Sequence, residues 1–174
     1  MIVGIDNGVD GGICAISKHD GSVIDYTVMP TYERKGKREV DTGAVKGWIL
    51  DLHTEPFIAI EEPLRHAKSS QAVRSMAIGF GKLMGLCEAK EWAFAEIEVK
   101  DWQKALLPGV AAGQTKKVAA KVALQMAEGH SFFKNERSKV PHDGIVDAFL
   151  IASYARESLA LTIAARLKGN LNLF

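Results

Sequence analysis

A mixed α/β fold, a five-stranded sheet with helices on both faces, is what the 174-residue sequence predicts. Three observations carry this expectation. Three extended runs joined by Gly- and Asp-containing turns open the chain. Two further apolar runs, residues 57–60 and 93–99, alternate with segments of helical period. The final segment, from Asp143 to about Lys168, keeps a helical register of apolar residues. A meander followed by alternating strands and helices places antiparallel strands first and parallel strands after them in one sheet.

Each element has its own justification. Residues 1–5 are apolar and stop at Asp6. Gly8, Gly11 and Gly12 mark a turn, residues 13–17 a second run, Lys18-His19-Asp20-Gly21 a second turn, and residues 22–28 a third strand before Pro30. Residues 31–40 (TYERKGKREV) set Arg34, Lys35, Lys37 and Arg38 against Glu33 and Glu39 without an apolar period, which predicts an exposed basic loop. Asp41 or Thr42 then caps a helix through Leu52, with Val45, Trp48, Ile49 and Leu52 on one face.

Residues 57–60 form a wholly apolar strand ending at Glu61 and Glu62. After Pro63 and the polar stretch LRHAKSS, Val73, Met76, Ala77, Phe80, Leu83, Met84 and Cys87 predict the buried face of a helix over 70–87. Gly79, Gly81 and Gly85 weaken that helix, which predicts close approach to a neighbour. Residues 93–99 alternate as a strand, and residues 100–107 give a short helical segment ended by Pro108-Gly109. Thr115 caps a helix to about Met126, with Lys117 and Lys121 opposite Val118 and Val122. In the last helix Ala148, Ile151, Ala152, Ala155, Leu159 and Ile163 are in register.

Composition sets the outer bounds. With 47% hydrophobic and 25% charged residues the chain reads as a single domain spanning residues 1–174. No run reaches the roughly 18 apolar residues of a bilayer span, and the N-terminus lacks a signal-peptide pattern, so a cytoplasmic protein without a membrane partner is expected. Cys14 and Cys87 lie in apolar stretches and read as reduced core thiols. Trp48, Trp92 and Trp102 are expected as core or half-buried anchors. Lys plus Arg is 22 against 21 acids, so the net charge of +1 neither demands nor excludes a polyanionic partner.

The chemistry lies in acids at element ends. Asp6 ends the first strand, Glu61 ends an apolar strand, and Asp143 and Asp147, four apart on one helical face, open the last helix in PHDGIVDA. Singly, each has an ordinary use as a cap, an Asx turn or a surface acid. Jointly, parallel strands and a helix beside them bring these ends to one edge. A carboxylate cluster repels itself unless cations neutralise it, and oxygen donors without Cys or a close His pair select Mg²⁺ or Mn²⁺ over Zn²⁺. Two such ions about 4 Å apart stabilise the attacking and leaving oxygens of phosphodiester hydrolysis.

Three motifs carry a resemblance: Ile5-Asp6-Asn7-Gly8 followed by Gly11-Gly12, the strand end Ala59-Ile60-Glu61-Glu62 leading into a long helix, and His142-Asp143-Gly144-Ile145-Val146-Asp147-Ala148. In this order, over residues 4 to about 155, they resemble the RuvC family of Holliday junction resolvases, its phage-type members most closely. The resemblance implies an RNase H-like fold, a homodimer, and Mg²⁺-dependent, symmetrically paired nicks across a four-way DNA junction that leave 5′-phosphate and 3′-hydroxyl ends. By motif it makes Asp6 the first metal-bridging carboxylate, Glu61 the second and Asp147 the acid of the last helix. Either Asp143 or His142 takes the fourth position, because the family spaces its last pair three apart and Gly144 stands there. His142 also has the chemistry of a general acid.

Basic residues flanking the acidic edge, namely Arg65, Lys68, Arg74, the loop from Arg34 to Arg38, Lys100, Lys116 and Lys117, are candidates for phosphate contacts. The resemblance assigns Lys100 and Lys116 or Lys117 to the basic active-site positions and Leu64 to an apolar wedge at the junction. Two alternatives stay open. One is another RNase H-like nuclease acting on RNA, forks or flaps; the other is a non-catalytic junction-binding dimer.

Overall fold

The computed structural model describes residues 1–63, 70–111 and 113–171, without side chains at 70 and 162–171. Its main sheet has five strands in the order β3-β2-β1-β6-β7. Strands β1 (Ile2–Asp6), β2 (Gly12–Ile16) and β3 (Val23–Val28) are the expected antiparallel meander. Strands β6 (Phe57–Glu61) and β7 (Ala93–Ile97) continue it in parallel, β6 beside β1 and β7 beside β6. Ile2, Val3 and Ile5 of β1 are all buried, because a central strand covered by helices on both faces has no solvent side. This is the mixed five-stranded sheet that the patterning predicts, and its topology is RNase H-like, as the resemblance implies.

Alternate side chains of the central strands feed two apolar clusters. On one face Ile2, Cys14, Ile16 and Ala59 pack with α3 (Val99–Leu106), α4 (Thr115–Met126) and α5 (Asp143–Leu171). On the other, Val3, Ile5, Ile13, Ile58 and Ile60 pack with α1 (Thr42–Asp51) and α2 (Ser70–Ala89). Cys14 and Cys87 are buried free thiols, one in each cluster, and burial raises the pKa of both. No helix among the described residues is long and apolar enough to cross a membrane.

Helix α5 sits where the functional edge needs it because glycines let its backbone touch the sheet. A Cβ on Gly4 would lie 2.1 Å from the Ala148 carbonyl oxygen, one on Gly12 2.7 Å from Gly144, and one on Gly144 2.4 Å from the Gly11 backbone. Gly11 and Gly144 also form an isolated β-bridge. The glycines of the first and last motifs therefore lock the start of α5 onto the end of β1.

Several expectations need correction. Residues 31–40 are a hairpin, β4 (Thr31–Arg34) and β5 (Lys37–Val40), closed by the two-residue turn Lys35-Gly36 with both φ positive. Apart from the buried Val40, its strands carry mostly polar side chains, so no apolar alternation advertises them. Among the described residues, Gly79 alone of the three α2 glycines makes a close approach, to the Asn7 carbonyl oxygen and Val40, and nothing lies against Gly81 or Gly85. On that helix Leu83 and Cys87 are buried, Val73, Met76, Phe80 and Met84 are half-buried, and Ala77 is exposed. Strand β7 stops at Ile97, so that α3 starts one residue earlier than expected. Gln114, not Thr115, is the N-cap of α4, and it makes no side-chain capping bond. Asp41 caps α1 by accepting from the Ala44 amide at 3.0 Å.

Candidate active site at the carboxylate edge

Parallel pairing of β1 and β6 aligns Ile5 with Ile60, which puts Asp6 and Glu61 side by side at the C-terminal ends of the two central strands. Helix α5, locked on by its glycines, adds Asp147 from its first turns. Glu61 is buried, Asp6 and Asp147 half-buried. The charges feel one another: burial first, then the Asp6 carboxylate, pushes Glu61 up to about 8. Burial, Asp6 and Asp143 push Asp147 up to about 7. Asp6 is raised by burial, against the pull of the Gly8 amide and Lys116. Three acids distant in sequence thus form one electrostatic unit.

Three neighbours hold the unit in place. The Gly8 amide donates to Asp6 Oδ1 at 3.1 Å. The buried Asn7 side chain donates through Nδ2 to the Glu61 carbonyl oxygen, while its Oδ1 is without a partner among the described residues. Trp102, fully buried in α3, donates its indole N–H to Glu61 Oε1 at 2.9 Å. Trp102 is the core anchor expected of it, but its grip on Glu61 went unread in the sequence, as did the role of Asn7. The only hint was their placement, Asn7 beside Asp6 and Trp102 just after the strand that pairs with β6.

The remaining candidates lie around this edge or apart from it. Asp143 is exposed and forms a 2.6 Å ion pair with Lys116. His142 caps α5 with its carbonyl oxygen, accepting from the Ile145 and Val146 amides at 3.0 Å. Its Nδ1 is buried without a partner among the described residues, and burial together with Lys134 lowers its pKa. Lys100 stands at the start of α3, 2.6 Å from Glu98. Lys117 is exposed on α4, and Arg74 lines a groove beside α2. Leu64, Arg65 and Lys68 lie outside the described residues.

Among the described residues, no group of three or more His, Cys, Asp or Glu side chains stands in position to hold a metal ion. The chemistry of the donor set nevertheless fits a hard divalent cation. The donors are oxygen only, two of the acids are held near or above neutral pKa by burial and mutual repulsion, and the ammonium beside them, Lys116, is engaged by Asp143.

No protein-family model matches the sequence, and no curated protein matches it significantly. The RNase H-like class defined by the sheet order has solved counterparts. Thermus thermophilus RuvC in complex with a Holliday junction substrate superposes with a TM-score of 0.64 at 14% identity, over 91% of this chain and 94% of that one. A second Thermus thermophilus RuvC structure gives 0.51 at 16% identity, over 90% and 96%. The likeness is one of fold, and it spans almost the full length of both chains.

Proposed function

We propose that this protein is a divalent-metal-dependent endonuclease that resolves Holliday junctions and related branched DNA as a homodimer. The observation that carries the reading is the convergence of Asp6, Glu61 and Asp147 at one strand edge, where burial and mutual repulsion leave a charge deficit that a cation would fill. Mg²⁺ or Mn²⁺, held by Asp6, Glu61 and Asp147 with Asp143 as the fourth ligand, would supply Lewis acidity and an activated water for in-line phosphodiester hydrolysis. Asp143 suits that fourth place because it is exposed and can exchange Lys116 for a cation. His142, neutral near pH 7 from its lowered pKa, is fit to orient water or the leaving oxygen rather than to add charge.

The chain's own residues provide the rest. Trp102 and Asn7 fix Glu61 at its carboxylate and its backbone. Lys116, released by Asp143, would meet a scissile phosphate, and Lys100, Lys117 and Arg74 would contact flanking phosphates. On the resemblance, Leu64 enters the junction; Arg65 and Lys68, as basic residues beside it in the sequence, would neutralise neighbouring phosphates. For the dimer, the half-buried stripe Val73, Met76, Phe80 and Met84 of α2, bordered by Ala77 and the open Gly81, offers an apolar face that a second copy would complete.

The test is a labelled four-way junction and a linear duplex of the same sequence, incubated with Mg²⁺ or chelator and read on a denaturing gel. Paired nicks on opposite arms of the junction, in metal only, are the expected result. Cutting of RNA or unbranched DNA would replace the reading with a general RNase H-like nuclease, and binding without cutting would leave a junction-binding dimer.

A further inference from the structure

We propose that the groove between the β4–β5 hairpin and the N-terminal half of α2 seats the sugar-phosphate backbone of the DNA strand that passes over the carboxylate edge. The inference rests on the nuclease reading above and names a binding site for its substrate. The groove encloses about 510 Å³, within the range of ligand clefts. Val9, Val40 and Ile78 form an apolar floor, and Lys37 and Arg38 on one wall face Arg74 on the other.

The hairpin is a fixed wall. Glu39 accepts from Lys82 of α2 at 2.6 Å and from the Tyr32 hydroxyl at 3.1 Å, and the Lys82 ammonium lies 5.1 Å from the Tyr32 ring centroid. Lys37 reaches Gln71 of α2 at 3.3 Å. These contacts also settle the charge of the groove. Glu39 is committed to Lys82, Lys37 donates to a neutral amide, and among the described residues neither Lys37 nor Arg74 is in an ion pair. Cations on two walls above an apolar floor suit a phosphodiester chain, with phosphates on the rim and sugar or base on the floor.

Position links the groove to the chemistry. Val9 and Asp10 belong to the loop that follows Asp6, and Gly79 packs α2 onto that loop at Asn7. A strand lying in the groove is therefore delivered to the acids by the loop both share. The exposed Asp10 carboxylate pairs with Arg38, where a phosphate oxygen would sit. At 100° per residue, Ile78 lies on the opposite flank of α2 from the Val73, Met76 and Phe80 stripe, with Arg74 and Gly81 between them, so a strand on the groove floor and a second copy on the stripe approach the helix from different sides.

Junction binding by fluorescence anisotropy in chelator, from about 50 to 200 mM salt, tests the groove. Lys37→Ala is expected to weaken binding several-fold and to reduce the salt slope by about one. Ile78→Glu, which puts a carboxylate on the floor at a position already 44% exposed, is expected to weaken binding about tenfold or more without loss of folding. Asp10→Asn should tighten binding by freeing Arg38, and Lys90→Ala, just past the far end of α2 and outside the groove, should stay within about twofold. Melting curves check that each variant is folded. Wild-type affinity and slope in Lys37→Ala and Ile78→Glu, when the wild type itself binds in a salt-dependent way, would overturn the groove and leave the nuclease reading standing. Absence of junction binding by the wild type would overturn both.

Discussion

Glu61 is held at two points, by Asn7 on its carbonyl oxygen and by Trp102 on its carboxylate, and each hold has a measurable consequence. The Trp102 bond favours the ionised carboxylate against burial and the neighbouring acids. Trp102→Phe keeps most of the packing and removes that donor, so the pKa of Glu61 should rise by about one unit or more. In a pH–rate profile the acid limb should move to higher pH, whereas a packing defect alone would lower the rate at every pH. Asp6→Asn removes a charge from the site and no cation from the surface. It should retain junction affinity and lose cleavage by several orders of magnitude, as single-turnover gels would show. Asp6 and Glu61 are legible in sequence because an acid closing a wholly apolar strand has little structural purpose. Trp102 is not legible in the same way, since its partner lies 41 positions earlier and meets it only once α3 has crossed the end of β6.

Helices α5 and α2 use glycine in opposite ways, and this separates two kinds of substitution. Gly4 and Gly144 stand where a Cβ would fall inside backbone atoms of the facing element, so Gly4→Ala or Gly144→Ala must push α5 off the sheet. A loss of about 3 kcal/mol in denaturant unfolding is expected, together with loss of activity as Asp147 leaves Asp6. Among the described residues, no facing atom lies within 4 Å of where a Cβ on Gly81 or Gly85 would sit. In an isolated protomer, Gly81→Ala should stabilise by about 0.8 to 1 kcal/mol through helix propensity. If α2 faces a second copy, the same substitution should instead weaken the dimer, and sedimentation across a dilution series distinguishes the two results. The α2 glycines signal a close neighbour in sequence, and the described residues of the protomer supply one for Gly79 alone. The hairpin was unreadable for a related reason: its anchors, Lys82 and Gln71, lie on α2, and its own residues show neither an apolar face nor a familiar Asn-Gly turn.

Across the whole molecule, the sheet order and the two packed faces follow from patterning that the sequence displays openly, whereas the energetic state of the site depends on how completely the fold excludes water from it. That exclusion makes stability depend on pH and on cations. Glu61 and Asp147 have pKa values near 8 and 7, above the ordinary carboxylate range, so between those limits the folded state binds protons that the unfolded state has released. Stability is therefore highest below the unfolded values and falls as pH rises towards 8. His142 and the N-terminal amine, both lowered by burial, act in the opposite direction, so the wild type is best compared with Glu61→Gln, in which their contributions cancel. In chelator, raising the pH from 6.5 to 8.5 should lower the wild-type Tm by about 5 °C relative to Glu61→Gln. Millimolar Mg²⁺ should restore it, because a cation on the carboxylate edge binds the folded state alone. Parallel melting curves for the two proteins, unaffected by Mg²⁺, would mean that the three acids do not share a cation and that their burial serves another purpose.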